Sequence, residues 1–179
     1  MTNSLKIDRD HLASRLKMAI NFIPENALVP MFENFFCTIE NGLMKIIASG
    51  PAMQIKLYCA CDSKTNWAFC VPAALFLGTV LGHQDNQITI TEKSKTKIEI
   101  KCGKSKAGIS LDCQPENFTP MSIDNINSEI TMHQSMLLKA FKTTKEFINP
   151  KHPNANFTVM NIAEINNKII FTGLTNALM

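Results

Sequence analysis

Three times along this chain a short strand pattern runs into a helical pattern, and each time strands joined by tight turns follow. That repetition constrains the fold more than any single residue. A unit this small cannot bury its own apolar face and must stack against a copy of itself. The first copy reads as a strand over Leu5 to Ile7, a helix from Asp8 to Phe22, and strands over Phe32 to Ile39, Leu43 to Ala48 and Met53 to Ala60. Asn41-Gly42 supplies the positive φ that a two-residue hairpin turn needs. The second copy reads as a strand over Trp67 to Val71, a helix opened by Pro72 and ended near Gly82, and strands over Gln87 to Glu92, Lys97 to Cys102 and Lys106 to Leu111. The third reads as a strand over Glu129 to Met132, a helix from Gln134 to Ile148, and strands over Asn156 to Ala163 and Lys168 to Thr172 around Asn166-Asn167.

This pattern predicts an α+β fold of repeated strand-helix-strands units, with helices on one face and antiparallel sheets outside. Gln114 to Asn127, with its Pro and Asn residues, reads as a linker. In the first helix Leu12, Leu16, Ala19 and Ile23 share one stripe, leaving Asp10, Ser14, Lys17 and Asn21 opposite. In the third helix Leu137, Phe141, Thr144 and Ile148 form the stripe, leaving Ser135, Lys139, Lys142 and Glu146 outward. Outward lysines are ordinarily a solvated helix face; on a nucleic-acid-binding surface they would be phosphate neighbours.

Composition excludes several classes. With 179 residues, 45% hydrophobic and 18% charged, the chain has apolar content enough for a sizeable core and is not of disordered composition. No apolar run approaches the roughly 18 residues of a membrane span, and Met1-Thr2-Asn3-Ser4 does not open a secretion signal, so the expected location is cytoplasmic. Of the six cysteines, Cys59-x-Cys61 lies in an alternating strand pattern and no Cys-x-x-Cys or His pairing accompanies it. Reduced, mostly buried thiols are therefore expected, with no metal and no cofactor. No glycine-rich phosphate loop with a lysine, His-Glu-x-x-His or nucleophile elbow occurs, and Asp8 and Asp10 stand two residues apart at a helix start, where capping explains them. A non-catalytic protein is expected. The net charge of +3 and pI near 8.5 permit nucleic-acid binding without requiring it. Lys93 to Lys106 holds six lysines against Glu92 and Glu99: a second basic surface, or an edge kept soluble by charge.

Four short motifs in order carry a more specific signal. Ile7-Asp8-Arg9-Asp10-His11-Leu12 opens a helix; Leu28-Val29-Pro30-Met31-Phe32-Glu33-Asn34 follows; Val71-Pro72-Ala73 precedes Leu75-Phe76; and Cys102-Gly103-Lys104-Ser105-Lys106-Ala107-Gly108-Ile109-Ser110-Leu111 closes at Phe118-Thr119-Pro120. Together they resemble the first domain of bacterial sliding clamps, the beta subunit of DNA polymerase III. The resemblance implies that residues 1–122 form a complete clamp-like domain of two units and residues 127–179 half of a second.

It further implies a DNA replication processivity factor that encircles or contacts duplex DNA non-specifically and tethers the replicative polymerase, with a clamp loader as a further partner and a homo-oligomeric ring. Lys17, Lys139 and Lys142, with Lys104 and Lys106, become the DNA-facing candidates. Ala107 and Ile109 take the positions of the family's interface phenylalanine and leucine. Three departures weaken the carry-over. Asn26 stands where the family places an arginine, Ala74 and Leu75 replace basic residues after Val-Pro-Ala, and Gly173 to Met179 lacks the Thr-Asp-Gly-His-Arg-Leu stretch of the partner-peptide pocket. The alternative function is a clamp-like protein-protein interaction module, or a truncated clamp fragment, without DNA-binding activity.

Overall fold

A computed structural model describes residues 2–24, 27–50, 53–120 and 129–174. Asn26, the linker residues 121–127 and the tail from Thr175 lie outside these described residues. The elements in chain order are β1 (Ser4–Asp8), α1 (Arg9–Ala19), β2 (Asn34–Glu40), β3 (Leu43–Ser49), β4 (Gln54–Ala60), β5 (Asp62–Ser63), β6 (Trp67–Pro72), α2 (Ala73–Gly82), β7 (Gln87–Ser94), β8 (Lys97–Cys102), β9 (Ser105–Ser110), α3 (Gln134–Lys145), β10 (Asn161–Ile165) and β11 (Lys168–Thr172). The chain divides into two compact units, Met1–Ile123 and Asp124–Met179.

Within the first unit the two repeats exchange their leading strands. One sheet has the order β5-β1-β7-β8-β9 and the other β4-β3-β2-β6, all antiparallel. Since β1 and β6 both lead directly into a helix, they are equivalent, and each is hydrogen-bonded to the first post-helix strand of the other repeat. The register obeys the same symmetry. The residue capping the helix faces the first residue of the accepting strand, Asp8 opposite Gln87 and Pro72 opposite Asn34. Neither repeat can complete its sheet alone, and that makes the unit cooperative.

Strand alternation then sorts the side chains. Leu5, Ile7, Phe35, Cys37, Ile39, Met44, Ile46, Phe69, Val71, Ile88, Ile90, Ile98, Ile100 and Ile109 point inward and join Leu12, Leu16, Phe76 and Val80 of the helices in one buried cluster. The turns match their residues: Asn41 and Gly42 both carry positive φ, and Gly103 takes positive φ in the β8–β9 turn. Asp8 caps α1 by accepting the His11 backbone N–H at 2.7 Å.

Several boundaries differ from the sequence reading. Pro30–Glu33 forms a 3-10 turn, so β2 starts at Asn34 rather than Phe32; Pro30 fixes φ at the first position of that turn. The regular part of α1 ends at Ala19, and Ile20–Phe22 tightens into a 3-10 turn. The first residues of the expected linker are packed. Phe118 is buried and stacks on Phe36 with ring centroids 4.8 Å apart, beside Ile47, Cys70 and Cys113 on the outer face of the β2–β3–β6 sheet. An aromatic stack with this much apolar neighbourhood outweighs the turn propensity of the surrounding Pro and Asn residues.

In the second unit α3 packs on the hairpin of β10 and β11, with Phe141 edge-on to Phe171 at 5.7 Å. Asn166 and Asn167 both adopt positive φ in its turn. Glu129 to Met132 is irregular rather than a strand, and the expected strand over Asn156 to Ala163 is replaced by a 3-10 turn at Ala155–Phe157 and by β10, which begins at Asn161. The helix stops at Lys145 rather than Ile148. Thr144 is the only buried residue among those described in this unit.

Candidate nucleic-acid interface

The polar face of α1 follows from its heptad-like stripe. Leu12, Ala13, Leu16 and Ala19 are buried, which turns Asp10, Ser14, Lys17 and Asn21 to solvent. Alongside runs α2, antiparallel to α1. Arg9 at the start of α1 donates from Nε to the Val80 carbonyl at 3.4 Å and from Nη2 to the Leu81 carbonyl at 3.1 Å, at the end of α2. At the opposite end Ile20, Ile23 and Pro24 meet Pro72 and Leu75 around a cleft of about 760 Å³. A positive group on the last carbonyls of α2 opposes the negative end of its dipole. Arg9 is also paired with Asp10. Helix periodicity does not single out this arginine; its place between Asp8 and Asp10 is the signal for it in the sequence.

The structure separates the lysines singled out from the sequence. Lys17 is exposed on the helix layer, and α2 adds no charge there, since Ala73–Gly82 contains no ionisable residue. Lys104 is exposed in the β8–β9 turn near Gly82 and His83, just past the end of α2. Lys106 stands on the other side of the sheet. It faces Lys101 across β8, and both flank Glu99, whose carboxyl is held below its ordinary value chiefly by the hydrogen bond from Lys93, at 3.0 Å, with the Lys106 and Lys101 charges assisting. Strand parity explains the split: Ile98, Ile100 and Ile109 of the same strands fill the core, so their neighbours must point away from the helices. Lys6 and Lys101, on that outer surface, strengthen its basic character without adding to the helix layer.

Aligning the helices on their caps, Asp8 for α1 and His133 for α3, makes Lys142 the counterpart of Lys17 and Lys139 the counterpart of Ser14. Both are exposed and three residues apart, hence neighbours on one face of α3. The edge strand β9 carries Ala107, half-buried, and Ile109, which is buried in the core of its own unit and offers no side chain outward.

The thiols are chemically quiet. All six cysteines are free, and Cys37, Cys59, Cys70 and Cys102 are buried. Burial pushes Cys37 and Cys70 well up, and raises Cys59 to about 11, a shift that the nearby Arg15 charge moderates and Cys61 adds to. Among the described residues no group of three or more His, Cys, Asp or Glu side chains is placed to hold a metal ion. No described helix is long and apolar enough to cross a membrane.

These features belong to the sliding-clamp fold. The chain superposes on a Caulobacter crescentus beta sliding clamp with a TM-score of 0.88 at 16% identity, covering 98% of this chain and 48% of that one. A Helicobacter pylori beta clamp, solved with a DNA ligase peptide bound, gives 0.88 at 14% identity over 97% and 49%. The beta subunit from the DNA polymerase of Streptococcus pyogenes gives 0.85 at 13% over 91% and 44%. The chain thus spans about half the length of the clamp chains it matches. No protein-family model matches the sequence, and no curated protein sequence matches it.

Proposed function

We propose that this chain is a clamp-like DNA replication factor whose helix layer contacts duplex DNA weakly, independently of sequence, and helps tether a polymerase. The carrying observation is the equivalence of Lys17 and Lys142 on helices whose apolar faces are turned to a sheet. Sparse ammonium groups of this kind neutralise phosphates and release counterions without reading bases, the chemistry a sliding contact needs. Residues 1–122 act as a complete clamp-like domain and residues 127–179 as half of another. Lys17, Lys139 and Lys142 make the phosphate contacts. Lys104 sits at the margin of the helix layer, and Lys106, on the outer sheet face, makes none. The reading includes a non-catalytic role in the cytoplasm, with a replicative polymerase and a clamp loader as partners. The edge strand with Ala107 and Ile109 is the candidate for ring closure, through its backbone rather than through the buried Ile109.

The experiment is fluorescence anisotropy with duplexes of unrelated sequence at low salt. Near-equal affinities that fall with salt, unchanged in Lys106→Ala, support the reading; absence of binding at low salt removes it. A second reading, a protein-interaction module without DNA contact, is favoured by the uncharged α2 and by the apolar cleft at its start, where Leu75 is 54% exposed. A clamp of this fold holding a ligase peptide makes short peptides the natural probe for that reading.

A further inference from the structure

Five exposed lysines, Lys6, Lys93, Lys97, Lys101 and Lys106, share the outer face of the β5-β1-β7-β8-β9 sheet. Register places three of them in one row. Lys6 faces Thr89, Thr89 faces Lys101 and Lys101 faces Lys106, so the row crosses four strands, from β1 to the edge strand β9. Lys97 lies over Gly108, where a Cβ would stand 2.9 Å from its Cε. At the bulge between Glu92 and Ser94, Lys93 reaches the Glu99 carboxylate at 3.0 Å.

This arrangement costs stability. Like charges directly opposite on neighbouring strands, as Lys101 and Lys106 are, repel each other. Among the described residues none of Lys6, Lys97, Lys101 and Lys106 makes an ion pair that would offset the cost. Protection of a sheet edge does not account for the pattern. Lysines serving that purpose belong on the edge strand, whereas this row continues three strands inward from β9 to β1. Glu99 shows what the face accepts. Its carboxyl is held below its ordinary value chiefly by the hydrogen bond from Lys93, with the Lys106 and Lys101 charges assisting, so a carboxylate among these lysines is stabilised as the anion.

We propose that this face is a docking surface for an acidic, carboxylate-rich segment of a partner protein, with Lys6, Lys101 and Lys106 receiving its carboxylates. Unpaired cations in a row select an anionic partner by complementary charge. The row spans about 14 Å, three strand spacings, which is the reach of about four residues of extended chain. Two observations favour carboxylates on a flexible chain over the phosphates of nucleic acid. Glu99 lies within the cationic surface and Asp62 faces Lys6 from β5. A duplex with charges at fixed spacing would meet both, while a peptide can place its carboxylates around them. Both arginines of the chain, Arg9 and Arg15, lie on α1, so the face holds no guanidinium for bidentate phosphate contacts. All of these lysines belong to the first unit, and none stands on the helix layer assigned to DNA.

Fluorescence anisotropy of a labelled peptide of alternating glutamate and serine, titrated with the chain at low salt and without DNA, tests this. Binding that weakens as salt rises is expected. Lys106→Glu should raise the dissociation constant at least about tenfold, and Lys6→Gln, at the far end of the row, should raise it as well. Lys139→Ala with Lys142→Ala should leave it unchanged. Lys106→Glu sets opposite charges across from each other at Lys101, so its urea midpoint should match or exceed that of the wild type, which separates lost docking from lost folding. Absence of binding at low salt, or binding indifferent to Lys106→Glu and Lys6→Gln, overturns the inference. So does an equal loss in the α3 variant, since net charge alone then explains the attraction. Loss of duplex DNA rather than of the peptide in Lys106→Glu makes the face a nucleic-acid surface and overturns it too. Omitting DNA from the peptide titration keeps its failure separate from the fate of the DNA-contact proposal.

Discussion

At the scale of residues, three side chains carry consequences that a substitution would reveal. Arg9 joins the start of α1 to the end of α2 through the Leu81 carbonyl and through the Val80 carbonyl, which also accepts the His83 backbone N–H at 3.4 Å. Arg9→Ala should lower the stability of the first unit by about 1.5–3 kcal/mol, the range for hydrogen bonds to a charged group, measured by urea denaturation; no change would mean water replaces it fully. The Cys59 thiol gives a pH signature. Its folded value, about 11, lies above the ordinary 9.0, so the folded state holds the proton more tightly than the unfolded chain. Its contribution to stability is complete below pH 9 and is lost as pH rises through about 11, with Cys37 and Cys70 acting in the same direction. Urea midpoints should therefore fall across that alkaline range, and Cys59→Ser should flatten the fall. Phe118→Ala removes a buried ring stacked on Phe36 and should cost about 3 kcal/mol, read from the same denaturation curves.

Among the elements, the contrast lies between leading strands that find a partner and one that does not. Hydrogen exchange on dilute, monomeric protein should show α3, β10 and β11 exchanging well before α1, β2 and β7. A two-stranded hairpin and one helix with a single buried residue among those described, Thr144, give little protection. Equal protection in both units would contradict this. The alternation of Leu5 and Ile7, and of Phe69 and Val71, made β1 and β6 legible in the sequence, as the Asn-Gly and Asn-Asn pairs made the hairpins legible. The identical logic applied to Glu129 to Met132 predicts a strand that does not form, because periodicity records what a segment can pair as and not whether an edge is there to receive it. Phe118 escaped for a related reason: a lone aromatic among Pro and Asn has no period, and its partner Phe36 is far away in sequence.

Over the whole molecule, the fold was readable from four motifs in order, whereas the candidate site was readable only in part. Lys17 and Lys142 are found at equivalent positions on the repeat because helix stripes fix which residues face outward. Lys106 could not be assigned from sequence because the side of the sheet it occupies depends on which neighbours fill the core, and Ile98, Ile100 and Ile109 take the inner side. A basic segment in sequence thus becomes an outer sheet surface in space, carrying Lys93, Lys101 and Lys106 around Glu99.

If α1 and α3 present ammonium groups to phosphates, the slope of log affinity against log salt on duplex DNA reports it. The wild-type chain should show a negative slope, and replacing both Lys139 and Lys142 by Ala should make it shallower by about two units, near one per phosphate contact removed, without reordering affinities among DNA sequences. A wild-type chain that is not retained on duplex DNA at low salt, or a slope that is unchanged by the double substitution, would contradict it.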